Sequence, residues 1–210
     1  CQDCHMPHTG ATHFAQPPPD SPRIAYERDP NTIFSHAMPG ASDVALLQNS
    51  VTMTTTVQRA DDTVIVEVSI VNDKTGHHVP TDSPLRNILL IVTAKDREGR
   101  ALSLRDGSTL PTWAGDYAGQ PGKGFAKVLE ELWTEVSPSG AYWQATRILS
   151  DNRLAAFATD TSRYTFAVPA SGESVIEVKL IFRRAFYELM QQKGWADPDI
   201  VMEFFTTTVP

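Results

Sequence analysis

The sequence predicts a mainly β protein: an immunoglobulin-like antiparallel β-sandwich preceded by an irregular N-terminal segment. Residues 63–71 alternate between apolar and polar side chains, as in a half-buried strand. Further short segments rich in Val, Ile, Thr and aromatic residues follow, with turn signals between them. Residues 1–48 have little periodicity, contain four of the six histidines and include the run Pro17-Pro18-Pro19.

The first five residues, Cys1-Gln2-Asp3-Cys4-His5, have the C-x-x-C-H spacing of a c-type haem attachment site. Two thiols three positions apart on one turn can add to the two vinyl groups on one edge of a porphyrin. His5 is then placed to bind the iron as its proximal ligand. We therefore expect at least one covalently bound haem c, anchored by Cys1 and Cys4, with residues 1–48 wrapped around it.

Two other interpretations of the motif stay open at this point. A C-x-x-C pair also occurs in zinc sites, for which His8 and His13 would supply the further ligands, and in disulfides. The chain has only two cysteines in 210 residues, so the motif uses both of them.

The expected compartment follows from the haem, because c-type haem is attached outside the cytoplasm. We expect a periplasmic, cell-surface or extracellular protein. No signal peptide opens the chain, so we expect a fragment or the ordered part of a longer secreted protein.

The charge balance excludes some partners. The net charge is −7, from 25 acidic and 18 basic residues, and the basic residues form no dense run. This argues against binding to nucleic acid or to an anionic membrane surface. No apolar stretch approaches the ~20 residues that a membrane-spanning helix needs.

Residues 49–210 are expected to form the β-sandwich domain. Strands are predicted at residues 51–57, 63–71, 85–95, 162–168, 174–182 and 200–209. Residues 101–104 are expected to return as the hairpin partner of 85–95. A short helix is predicted at 185–193, because good helix formers end there at Gly194. Residues 110–158 are too many for a hairpin loop, so we expect an elaborated insertion packed on the sandwich or on haem.

Two stretches resemble the C-terminal part of multihaem c-type cytochromes of the bacterial respiratory and nitrogen-cycle kind. There the sequence C-x-x-C-H-Met-Pro, here residues 1–7, is followed by a Ser-His pair, as in Ser35-His36, and then by a β domain. Residues 72–81 are similar to the Asn-x-x-x-Gly-His-x-x-Pro-Thr segment of that domain. The resemblance covers residues 1–100 by motif. It implies further haems, upstream of this chain, unless this is a single-haem variant.

The resemblance also implies candidates for the second axial ligand of the iron. His36 stands at the Ser-His position and is the first choice, and His77, at the Gly-His position, is the second. A buried, hydrogen-bonded structural role is the alternative for His77. His8 and His13 are tethered close to His5, and we expect them to reach a neighbouring haem if they ligate at all.

Electron transfer is the function that these expectations predict. Two histidine ligands would give a closed, six-coordinate iron that moves electrons and does not bind substrate, whereas Met38 would give a His/Met site of higher potential. The expected partners are redox proteins or neighbouring haems, with a homo-oligomer or a larger cytochrome assembly compatible with the surplus histidines. Two alternatives stay open: a haem enzyme with an open iron site acting on a small nitrogen or oxygen compound, and an assembly module. An unpaired hydrophobic face or edge of the sandwich would favour the assembly module.

Two further groups of residues have weaker signals. Aromatic residues of the 110–158 segment could line a haem edge or a sugar-binding face, although core and loop packing is the simpler interpretation: Trp113, Tyr117, Trp133, Tyr142 and Trp143. Four aspartates could hold calcium with loop carbonyls, although without EF-hand spacing solvated loop acids are the simpler interpretation: Asp151, Asp160, Asp197 and Asp199.

Overall fold

A computed structural model describes residues 1–15, 19–20, 26–81, 83–169 and 172–210. Pro17 and Pro18 of the proline run lie outside the described residues. The chain divides into two compact units, Cys1–Leu46 and Leu47–Pro210. Three short helices are described, α1 (Gln2–His5), α2 (Val44–Gln48) and α3 (Tyr187–Lys193), together with 3₁₀ segments at Pro30–Thr32 and Thr112–Tyr117.

The larger unit is a sandwich of two antiparallel sheets, so the predicted fold class is confirmed. Its strands among the described residues are β1 (Thr52–Ala60), β2 (Thr63–Val71), β3 (Asn87–Asp96), β4 (Leu104–Asp106), β5 (Gly122–Glu131), β6 (Thr146–Asp151), β7 (Thr159–Ala167), β8 (Ser174–Arg183) and β9 (Ile200–Val209). One sheet has the order β1-β2-β7-β4 and the other the order β6-β5-β3-β8-β9. Ile70 of the first sheet and Ile88, Phe125 and Leu180 of the second line a common apolar core.

Side-chain alternation explains which residues of each strand enter the core. In β2, Val64, Val66, Val68 and Ile70 are all buried, because every second side chain of a strand points to the same face. The same rule applies to β8. Val175 is 37% exposed, since it lies on the opposite face from the buried Ile176.

The central strand β3 is buried on both faces, which explains its continuous apolar run. Residues 87–92 are all buried. The face away from the sandwich core is covered by the 3₁₀ segment Thr112–Tyr117 and the residues beside it. There Leu89 and Ile91 form a cluster with Leu110 and Ala114. The five-stranded sheet therefore has a second, smaller core on its outer side.

Two segments differ from the sequence prediction. Residues 101–104 begin as the partner of β3, with the Leu102 amide donating to the Ala94 carbonyl at 2.8 Å, but the chain then crosses to pair β4 with β7 of the other sheet. Residues 110–158 contain two strands, β5 and β6, paired as a hairpin with a bulge between Ile148 and Ser150 of β6. The glycines of β5 concealed its strand character, and Gly124 is required because a Cβ there would collide with the ring of Trp113.

A buried arginine joins the covering segments to the sheet. The guanidinium of Arg183 donates to both carboxylate oxygens of Asp199 at 2.7 and 2.8 Å, to Asp116 at 2.8 Å and to the Ala114 carbonyl at 2.8 Å. The rings of Tyr117 and Tyr187 also lie near it, with centroids at 5.3 and 5.5 Å from its Cζ atom. One side chain thus holds the 3₁₀ segment, α3 and the residues that precede β9.

Candidate functional site

Cys1 is the N-cap of α1 and Cys4 lies on its single turn, and both are exposed, free thiols. The turn is closed by the His5 amide, which donates to the Cys1 carbonyl at 2.9 Å, and by the Met6 amide, which donates to the Gln2 carbonyl at 2.7 Å. Two accessible thiols are therefore presented three positions apart on one helical turn. This is the donor arrangement that attachment to a porphyrin edge requires.

The ring of His5 is oriented by a main-chain carbonyl. Its Nδ1 atom lies 2.7 Å from the oxygen of Pro39. A carbonyl oxygen only accepts hydrogen bonds, so Nδ1 carries the hydrogen of this bond, and in the neutral ring the lone pair is then on Nε2. Histidines that bind metals usually donate their other ring N–H to a carbonyl or carboxylate in this way, which fixes the ring and its tautomer. His5 is thus in the state that suits an iron ligand, and the residues present fit a c-type haem.

A short antiparallel ladder brings residues 33–39 beside α1. The Thr9 amide donates to the Ile33 carbonyl at 3.1 Å, and the Ser35 amide donates to the Pro7 carbonyl at 2.8 Å. His36 is exposed and lies between this ladder and Pro39, whose carbonyl holds His5. His5 and His36 therefore belong to the same compact unit and are linked through a few hydrogen bonds.

The remaining histidines of this unit contact other side chains. The ring of His8 lies against the ring of Phe34, with centroids 4.4 Å apart. The Nδ1 atom of His13 lies 2.8 Å from the hydroxyl of Thr12. Within the ranges that the structure describes, no three His, Cys, Asp or Glu side chains form a group that could hold a metal ion. The alternative zinc site combining His8 and His13 with the cysteines is therefore not supported.

His77 belongs to the sandwich unit, and its side chain is exposed. The burial expected in the structural alternative is therefore not found, whereas its hydrogen bonding is. The Nδ1 atom of His77 lies 2.9 Å from the carbonyl oxygen of His78, which can only accept, so Nδ1 donates there as in His5. His77 and His36 are thus both exposed, but they stand in different units of the chain.

The turn that carries His77 is built around a buried asparagine. Asn72 is fully buried, and its amide nitrogen donates to the carbonyls of His77 at 2.8 Å and Leu154 at 3.1 Å. The hydroxyl of Thr75 donates to the Asn72 side-chain oxygen and to the His77 carbonyl. These bonds satisfy the buried amide and fix the main chain at His77. The Asn-x-x-x-Gly-His pattern is therefore explained by a structured turn.

The four aspartates considered for calcium are each engaged by a cation. Their partners are Arg153 for Asp151, Lys123 for Asp160, Arg184 for Asp197 and Arg183 for Asp199. The pKa of Asp151 is held below its usual value chiefly by the hydrogen bond from Arg153. Because each carboxylate already has its own basic partner, the expected calcium site is not supported.

The aromatic residues of the 110–158 segment separate into two groups. Trp113 packs edge-on against Phe186 at 5.4 Å and lines a cleft of about 260 Å³ that also contains Leu149 and Glu188. Glu188 is the one titratable side chain among the described residues that line this cleft, so the cleft lacks an acid–base pair. Trp133, Tyr142 and Trp143 are instead strongly exposed at the end of the β5–β6 hairpin.

Comparison with solved structures gives the same fold in a larger protein. The crystal structure of a penta-haem cytochrome c552 from Thermochromatium tepidum is similar to this chain, with a TM-score of 0.69 and 22% sequence identity. The match covers 100% of this chain and 47% of that chain, so this chain spans about half the length of the cytochrome. The ASH/PapD-like domain 7 of human CEP192 matches with a TM-score of 0.29 and 7% identity, over 77% of this chain and 84% of that domain.

Sequence comparison adds no further relative. No protein-family model matches the chain, and no curated protein matches it. The likeness to the penta-haem cytochrome c552 structure shows a shared fold. In the described part of the chain, no helix has both the length and the apolar composition needed to cross a bilayer.

Proposed function

We propose that this protein transfers electrons through a covalently bound c-type haem. The observation that carries the proposal is the α1 turn, where two exposed free thiols precede a histidine whose Nδ1 atom is bonded to a main-chain carbonyl. Cys1 and Cys4 would hold the porphyrin, and His5 would bind the iron through Nε2. The bound haem would supply one-electron redox chemistry. The fold shared with a penta-haem cytochrome c552 supports this assignment.

The second axial ligand is proposed to be a histidine, which gives a closed iron suited to electron transfer rather than substrate binding. His36 is the first candidate, because the ladder of its unit leads from it to the α1 turn. His77 is the second, because its Nδ1–H is already donated to a carbonyl and its side chain is exposed. His8 and His13 are proposed as ligands of a neighbouring haem at most.

The proposal extends to the organisation of the whole protein. Residues 1–48 would be the haem-binding segment and residues 49–210 the sandwich that positions it toward redox partners or further haems. Because this chain spans 47% of the similar cytochrome, we propose that it is one part of a multihaem protein. A periplasmic or extracellular location follows from the chemistry of haem attachment.

Covalent attachment tests the proposal directly. The chain is produced in a host with a c-type haem maturation system, and its intact mass is measured after denaturation. We expect the mass of the polypeptide plus one haem, and a pyridine haemochrome spectrum typical of two thioether bonds. Cys1→Ser and Cys4→Ser should each leave one thioether, and the double variant should retain no haem after denaturation.

Met6→Leu is the matched control, because Met6 adjoins the motif and would take no part in attachment. It should carry haem as the parent chain does. A parent chain with no covalent haem would overturn the proposal.

A further inference from the structure

β6 is an edge strand that is open to solvent on both faces. Among the described strands it pairs with β5 alone, at one end of the five-stranded sheet. Five of its six residues are exposed, including the consecutive apolar residues Ile148 and Leu149. An edge strand also presents unpaired main-chain N–H and C=O groups, which are a template for another strand.

The end of the β5–β6 hairpin adds an aromatic surface to this edge. Trp133 is 82% exposed, Tyr142 91% and Trp143 71%, and the last two rings contact each other edge-on at 5.0 Å. Three aromatic side chains at such exposure present on the order of 500 Å² of largely apolar area. That is as large as the largest apolar patch of a typical monomer. We call Trp133, Tyr142, Trp143, Ile148 and Leu149 together the β6 patch.

The opposite edge of the same sheet, strand β9, is partly covered by side chains. On β9, the side chain of Gln48 donates to the Val201 carbonyl at 3.1 Å, and Arg59 donates to the Pro210 carbonyl at 2.6 Å, just beyond the strand. Side chains thus cover part of the main-chain edge of β9, although β9 also carries the exposed Val201 and Phe204. β6 joins its exposed apolar residues to the aromatic end of the β5–β6 hairpin, which makes it the edge better suited to a partner.

We propose that the β6 patch is the docking surface for a second copy of this chain, with the two β6 strands antiparallel across a two-fold axis. Identical strands can pair in this way because a two-fold interface brings the same surface of both copies together. Ile148 and Leu149 lie at the centre of the strand, so the apolar residues of both copies meet. The open main-chain groups require a strand as partner, which a flat lipid or sugar surface would not supply.

The charges of β6 complement each other in that arrangement. Arg147 lies near the start of the strand and Asp151 at its end, so antiparallel pairing places Arg147 of one copy near Asp151 of the other at both ends. Within each copy Arg147 is held by Glu130 at 2.7 Å and Asp151 by Arg153 at 2.7 Å, so each charge is already oriented.

The size of the surface also agrees with a specific dimer. The aromatic area, with Ile148, Leu149 and the exposed Leu132 added, approaches the ~800 Å² that each partner buries in a standard interface. All of these residues belong to the sandwich unit. The inference therefore goes beyond the proposed haem chemistry and does not depend on it.

Sedimentation velocity of the full chain, from about 1 to 100 μM, tests the proposal. We expect a concentration-dependent dimer that Trp133→Ser combined with Trp143→Ser abolishes; this variant leaves the β6 sequence intact. Phe204→Ser is the matched control, because Phe204 is a half-exposed residue on the opposite edge strand β9. Phe204→Ser should leave the dimer unchanged, and circular dichroism verifies that each variant is folded.

Charge reversal tests the antiparallel two-fold arrangement itself. Arg147→Asp and Asp151→Arg should each weaken the dimer at least about tenfold, because each places like charges across the interface. The double variant should recover the dimer, because opposite charges again face each other across the interface, although within each copy the new side chains then lie beside the like charges of Glu130 and Arg153. A chain that stays monomeric throughout, a double variant that does not recover, or a dimer lost in Phe204→Ser would overturn the proposal.

Discussion

At the scale of single residues, the decisive feature is the chemical state of two histidines. His5 and His77 each place Nδ1 within hydrogen-bond distance of a main-chain carbonyl, that of Pro39 and that of His78. In a neutral ring this hydrogen bond places the lone pair on Nε2, the state in which imidazole binds a metal. His36 and His77 are the two proposed candidates for the second axial position.

Replacing these histidines one at a time tests the second ligand. If His36 holds that position, His36→Ala should convert a low-spin iron largely to high spin, because the iron loses one strong ligand. His77→Ala and the adjacent His78→Ala should then remain low spin in the absorption spectrum. Conversion in His77→Ala with His36→Ala unchanged would contradict the first choice and select the second. A parent protein that is already high spin and binds small ligands would instead support the enzyme alternative.

At the scale of secondary-structure elements, Arg183 fixes the layer that covers the outer face of the five-stranded sheet. The side chain is 4% exposed and bonds Asp199, Asp116 and the Ala114 carbonyl, which lie on separate segments. Gly115, with φ of 65°, allows this close packing because a Cβ there would collide with the ring of Tyr187. The covering segments thus depend on one buried cation more than on their own helical propensity.

Arg183→Met should lower the free energy of unfolding by about 3 kcal/mol, because removing one partner of a buried ion pair leaves the other charge uncompensated. Arg184→Met is the control: that neighbouring arginine is 59% exposed and pairs with Asp197, so its loss should change stability by less than about 1 kcal/mol. Urea unfolding followed by circular dichroism gives both values. Equal effects of the two substitutions would contradict a special role for Arg183.

At the scale of the whole molecule, the buried phenol of Tyr164 makes the stability of the sandwich depend on pH. Tyr164 is fully buried on β7, and its hydroxyl lies 3.4 Å from that of Ser108. Burial raises the pKa of this phenol above its ordinary value of 10.0. A raised pKa in the folded state means that the unfolded chain loses this proton first. The contribution to stability is therefore complete below pH 10 and is lost as the pH rises through the pKa of the folded state.

Tyr164→Phe should remove the loss of stability that ionisation of this phenol causes at high pH. Near pH 7 we expect the variant to be less stable than the parent by about 1 kcal/mol, through the missing hydroxyl. Above pH 10 the difference should shrink or reverse, as measured by denaturant unfolding at a series of pH values. Tyr26→Phe, which removes an exposed phenol, is the matched control. A difference that stays constant over the whole pH range would contradict the argument.

The sequence by itself determined the sandwich and the C-x-x-C-H spacing on which the proposed haem attachment rests, because both depend on local spacing. Period-two alternation in residues 63–71 and the C-x-x-C-H spacing are properties of adjacent residues. The helix that ends at Gly194 was predicted for the same reason, and the glycine has the left-handed conformation that such an end requires, with φ of 63°.

Only the tertiary structure decided which distant groups meet. The carbonyl of Pro39 that orients His5 had no signal in the sequence, because every residue carries a carbonyl. Strand β5 was concealed by its glycines, whose role depends on the Trp113 ring and the Leu90 carbonyl against which they pack. The aspartates stayed candidates for calcium in the sequence because their basic partners, such as Arg183 for Asp199 and Lys123 for Asp160, become visible only when the chain is folded. Contacts between remote segments follow from packing, which local spacing does not encode.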